Sequence, residues 1–136
     1  MHPRLLGVLA VVGGTAWLAK VAFIWANDGA NRYGGVAGVL MMIGLTAIAG
    51  AAMTRAWYLP SSTRTLWRVL SAAAALLAVV AAINLGSLLV GSLLAWVVIG
   101  ETWFAGEVGL VLVAVLALVV GAQWIKRGSQ SSPQPR

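Results

Sequence analysis

A single lysine, Lys20, interrupts the apolar stretch "TAWLAKVAFIW" from Thr15 to Trp25. Inside a membrane an ammonium group costs about 2.5–3.5 kcal/mol on insertion scales. A chain keeps one there for a purpose: to pair with an acid, to reach the interface, or to meet a charged solute or a proton. The other residues able to take part are few. Asn84 is the one amide inside its own long apolar run, and Asp28, Glu101 and Glu107 are the only acidic residues of the chain. Lys20 follows Arg4 by sixteen residues and Asn84 follows Arg68 by sixteen. If those arginines mark helix starts at one face, Lys20 and Asn84 lie at equal depth. The sequence therefore predicts one polar cluster of Lys20, Asn84, Asp28, Glu101 and Glu107 near the outer leaflet. Snorkelling is available as well. Lys20 lies six residues before Ala26, about 9 Å below that helix end, and the lysine stem covers most of that distance.

Nothing in the chain spells out catalysis. The only histidine is His2, and there is no cysteine. That removes thiolate metal sites, thiol redox chemistry and disulfides. No HExxH, GxSxG, phosphate-binding loop or paired acidic motif occurs. Glu101 and Glu107 are six residues apart with a glycine between them, a spacing with no defined metal geometry. The expectation is a protein that is not an enzyme and that carries neither metal nor cofactor.

A second constellation concerns packing. Ala74, Ala78, Ala82 and Gly86 recur every fourth residue and draw a smooth line along one helix face. Such spacing lets two helix backbones approach closely in lipid. The pairs Thr46/Gly50 and Ala47/Ala51 repeat it on the preceding helix.

The elements that must position these residues follow from composition. Of 136 residues, 61% are hydrophobic and 9% charged, against about 25% charged in a soluble chain. Too little polar surface exists to coat a soluble particle, so lipid is the expected solvent. Four apolar runs, about 5–26, 36–53, 67–99 and 108–125, are each long enough to cross a bilayer as a helix. They are continuously apolar, unlike the alternating strands of a barrel. The first outlasts a signal-peptide core, so it is read as an uncleaved helix. The third is too long: Val69–Ile99 is 31 residues, about 46 Å against a core of about 30 Å. It must tilt or break, with Asn84, Gly86 and Gly91 as break points. Asn27–Gly35, Thr54–Arg68 and Gly100–Glu107 read as connections.

Orientation follows from the basic residues. Arg4, Arg55, Arg64, Arg68, Lys126, Arg127 and Arg136 fall on one side, and Arg32 alone on the other. Both termini are therefore expected in the cytoplasm. Trp57, Trp67 and Trp124 mark the inner interface, and Trp25 and Trp103 the outer. The net charge of +6 is confined to run ends, which suits lipid phosphate and argues against nucleic acid.

The expected molecule is an all-α integral membrane protein. Residues 1–127 form a four-helix domain and 128–136 a disordered tail. The arginine-rich, alanine-rich composition points to a bacterial inner membrane. Its expected role is packing or interaction, by self-association or within a larger membrane complex. The alternative is a small oligomeric transporter or channel using Lys20 and Asn84, for an anionic or proton-coupled solute. The small multidrug resistance exporters are similar in span count. They carry a glutamate in the first helix where this chain has Lys20, so a cation exporter of that kind is disfavoured.

Overall fold

The computed structural model describes residues 3–30, 32, 34–59, 64–94, 97 and 102–130, with side chains of the last segment described from Phe104 onward. The described residues are helical, with no strand. Helix α1 spans Pro3–Ala26, α2 Gly35–Trp57 and α3 Thr65–Gly86. Ser87–Gly91 is a π-helical turn, followed by the single turn α4, Ser92–Leu94, and by α5, Thr102–Gln130. Four helices are long and apolar enough to cross a membrane: Pro3–Ala26, Gly35–Trp57, Thr65–Leu94 and Phe104–Gln130. Continuous helix is what lipid demands of such runs, because each backbone N–H and C=O is then satisfied within its own segment.

Within the described residues the third run is helical over Thr65–Leu94, and its regularity is interrupted by the π turn just after Gly86. The predicted break point Gly91 closes that turn. The fourth run departs from expectation at both ends. Thr102–Glu107, read as a loop from its polar residues, forms the first turns of α5. At the other end α5 continues to Gln130, where Ser129 Oγ donates to the Ile125 carbonyl at 3.0 Å. The first three residues of the predicted tail are thus helical, and 131–136 lie outside the described residues.

Helix α1 ends in a chain reversal written in its sequence. The Gly29 N–H reaches the Ile24 carbonyl at 3.0 Å and the Asp28 N–H reaches Trp25 at 3.2 Å, the two bonds of a Schellman stop. Asp28 takes φ 51° and Gly29 φ 79°. Aspartate and glycine tolerate the left-handed region that this stop needs.

The helices alternate in direction. Along α1 and α5, Arg4 lies by Gly128, Gly7 by Gly121, Gly14 by Ala114, Lys20 by Glu107 and Trp25 by Phe104. One numbering rises as the other falls, so the two are antiparallel. The same holds for α1 with α2, through Gly13 against Ile48 and Trp17 against Gly44 and Met41. It holds for α3 with α5, through Gly86 against Gly109 and Gly91 against Ala105. The result is an up-down-up-down bundle, α1–α2–α3–α5, in which both ends of the described chain lie at one end of the molecule.

Close approach, not bulk, holds α1 to α5. A Cβ added at Gly7 would lie 2.6 Å from the Gly121 carbonyl oxygen, and one at Gly121 would lie 2.7 Å from that of Gly7. Between helices as apolar as lipid tails, association rests on dispersion between surfaces that fit. The core gathers Ala10, Trp17, Ile48, Leu110, Val113 and Ala114. Trp17 is fully buried; its ring lies on Gly44 and its Nε1–H donates to the Met41 carbonyl at 3.2 Å.

Candidate functional site

The lysine of the first apolar run has a partner. Lys20 Nζ donates to Glu107 Oε2 at 2.6 Å, and both side chains are 3% exposed. Lys20 sits in the last third of α1, and Glu107 in the second turn of α5. The site is therefore one to two turns below the end of the bundle where α1 stops and α5 begins. A second cation approaches from the α1–α2 connection: Arg32 Nη2 lies 3.7 Å from Glu107 Oε1. Room for it comes from Gly106, where an added Cβ would meet Nη2 at 2.8 Å. Above the pair, Trp25 and Phe104 meet edge to face, with centroids 6.0 Å apart and planes at 90°.

Burial of both charges in one contact is the physical reason that Glu107 can lie in a helix among apolar neighbours. A buried carboxylate costs several kcal/mol unless it is paired. Val108 and Leu110, which follow it, are both 3% exposed. Polarity alone marked Glu107 as a loop residue, and a long-range pair of this kind leaves no local signal. Arg32 was visible in sequence only as the lone basic residue of its side.

Of the other members of the predicted cluster, Asn84 and Asp28 lie elsewhere. Asn84 is exposed, and its Nδ2 donates to the Val80 carbonyl of its own helix at 2.8 Å. Asp28 is exposed in the α1 stop, and Glu101 lies outside the described residues. In place of Asn84, the polar link between the third run and α5 is Ser87. Its Oγ donates to the Gly106 carbonyl at 3.0 Å and accepts the Gly109 N–H at 3.1 Å. Glu107 is in that same turn of α5, so one turn is tied to α1 by charge and to the π turn by hydrogen bonds.

The predicted ladder divides. Gly86 packs on α5, where an added Cβ would stand 3.1 Å from Gly109 Cα. Ala74, Ala78 and Ala82 are exposed. The side of α3 that meets its neighbours carries Ala72, Val79 and Ile83 instead. No residue in the most apolar 18-residue window of Thr65–Leu94 is buried, against 50% of that of α1.

Among the anchors, Trp25 and Trp67 are about half exposed, and Arg4, Arg64, Lys126 and Arg127 are exposed. Trp57, Arg68 and Trp124 are half-buried. The side chain of Trp103 lies outside the described residues. Among the described residues no three His, Cys, Asp or Glu side chains converge to hold a metal. Comparison with family models, curated proteins and solved structures gives no match to this chain.

Proposed function

We propose that this chain is a four-span protein of the bacterial inner membrane, with both termini in the cytoplasm, that works by packing against another membrane helix. The observation that carries the reading is the exposed row Ala74, Ala78 and Ala82 on a helix whose most apolar window is wholly unburied. Bulky side chains suit lipid contact equally well. A row of small ones every fourth residue admits a second backbone. Self-association of this chain is the arrangement to test first. Single cysteines introduced at position 78 in the otherwise cysteine-free chain should cross-link in membranes, whereas cysteines at position 77 should not. Cross-linking of neither, with a monomer in mild detergent, would remove self-association.

The transport alternative requires Lys20 and Asn84 to face one water path. Lys20 is held by Glu107 and Asn84 by its own backbone, which favours the packing reading. The topology rests on the seven-to-one distribution of basic residues. A cytoplasmic reporter fused after Gln130 should be active there, and activity of a periplasmic reporter at that site would reverse the orientation.

A further inference from the structure

Helix α3 is tied to its neighbours near its two ends. Ser71 Oγ donates to the Ala56 carbonyl of α2 at 2.9 Å, and Gly86 packs on Gly109 of α5. The two ties are fifteen residues apart, about 22 Å of helix. Between them lies an apolar crevice of about 180 Å³, with Ala10, Ala51, Ala52, Val79, Leu116 and Ala117 in its walls. Val79, midway between the ties, is the one described residue of α3 that lines it. The walls opposite are rich in alanine, whose short side chains leave the gap open. Along α5 the lining runs from Val113 to Trp124, about 16 Å of helix. Leu116 is 62% exposed, so the crevice reaches the outer surface of the bundle.

The lining decides what can enter. Every residue in it is apolar but for the indole N–H of Trp124. Water finds too few partners in such a space, and hydrocarbon suits it. Size decides further. A cavity of about 150 Å³ takes one benzene. A similar volume drawn out along the helix admits a single methylene chain and no ring system. A helix, about 10–12 Å across, does not enter, so a second copy of this chain is not the occupant. In a membrane the molecules that meet the mouth at Leu116 are lipids, and their tails are such chains.

We propose that the crevice binds one straight acyl chain of a membrane lipid, whatever its headgroup. The chain lies along α5 between Val113 and Trp124 and fills the gap that α3 leaves. This rests on the membrane-spanning part of the proposed function and not on packing against another helix.

The test uses the full chain in digitonin, a detergent whose apolar part is a rigid steroid. Its thermal midpoint is followed against added lipid. Straight-chain phosphatidylcholine and phosphatidylglycerol should both raise the midpoint saturably, with the same half-point. Diphytanoyl phosphatidylcholine, whose chains carry methyl branches, should act only at higher concentration. Losing room for two methylenes weakens affinity about tenfold, so Ala52→Leu, which narrows the crevice, should raise the half-point by about that factor. Ala122→Leu makes the same change at an exposed position of α5 outside the crevice and should leave the response unchanged. Equal half-points for straight and branched chains would overturn the proposal, as would an Ala122→Leu effect as large as that of Ala52→Leu. A response to phosphatidylglycerol alone would show headgroup recognition and overturn it too. Should Ala52→Leu lose its helicity, Val79→Phe narrows the same space from α3 and decides in its place. The membrane reading is tested apart, by alkaline extraction of membranes that hold the native chain. Release would overturn that reading, whereas retention without a lipid response would overturn the crevice assignment alone.

Discussion

Lys20 and Glu107 are each tolerable only because of the other. Removing one member of a buried pair costs about 3–5 kcal/mol, because the survivor keeps its desolvation penalty. Lys20→Met is therefore expected to lower the thermal midpoint in detergent, and Glu107→Leu likewise. The double variant should recover much of the loss, as a large coupling energy in a double-mutant cycle. Additive losses would mean that the contact carries no energy. Arg32 adds an asymmetry that the cycle can expose. It stands 3.7 Å from Glu107 and makes no ion pair with Lys20, so a charge swap is not neutral. In Lys20→Glu/Glu107→Lys the introduced lysine would face the Arg32 guanidinium. That swap should remain less stable than the native pair, and adding Arg32→Gln should improve it. A swap as stable as the native protein would show that Arg32 does not feel position 107.

Helix contacts in this bundle depend on where side chains are missing. At Gly121 an added Cβ would press on the Gly7 carbonyl at 2.7 Å and on Val11 Cγ2 at 2.9 Å. Gly121→Leu should force α1 from α5 and cost about 1–3 kcal/mol, the usual range for overpacking. Gly50 is the control, since nothing lies within 4 Å of its added Cβ. Gly50→Ala should be neutral or stabilising by up to about 1 kcal/mol, the helix-propensity difference. Equal losses at both glycines would show that the seam is not close-packed. Ser87 belongs to this scale as well. Ser87→Ala removes both bonds between the π turn and α5, and interhelical hydrogen bonds in membranes are worth about 0.6 kcal/mol on average and about 1.7 at most. A drop in thermal midpoint within that range is expected. On α3, Ala78→Leu adds bulk to an exposed position. It should leave the midpoint of the monomer unchanged and abolish cross-linking through position 78's neighbours on the same face, Ala74 and Ala82.

At the scale of the whole molecule, the two ends of the bundle differ in kind. One end closes on its own charges through Lys20, Glu107 and Arg32. The other holds a cavity of about 340 Å³ with Arg55 and Arg127 among its lining residues. The middle is a glycine- and alanine-lined seam with one helix, α3, turned largely outward. Helix class and number were legible in the sequence because they depend on local quantities. A run of about twenty apolar residues with no alternation can satisfy its backbone in lipid only as a helix, and Asn27–Gly29 carries the residues that stop one. The special status of Lys20 was legible for the same reason, as a charge inside such a run. The identity of its partner was not. Glu107 is 87 residues away, Asn84 matched Lys20 in depth but points from a different helix, and depth says nothing about rotation around an axis. Rotation also decided the ladder: one spacing of four placed Gly86 against α5 and left Ala74, Ala78 and Ala82 outside. Sequence alone determined which segments are helical and which residues are costly in lipid. Which of those residues meet was decided by tertiary structure, because helices apolar on every side offer the hydrophobic effect no single inward face, and the fit of Gly7 on Gly121 and of Trp17 on Gly44 selects one.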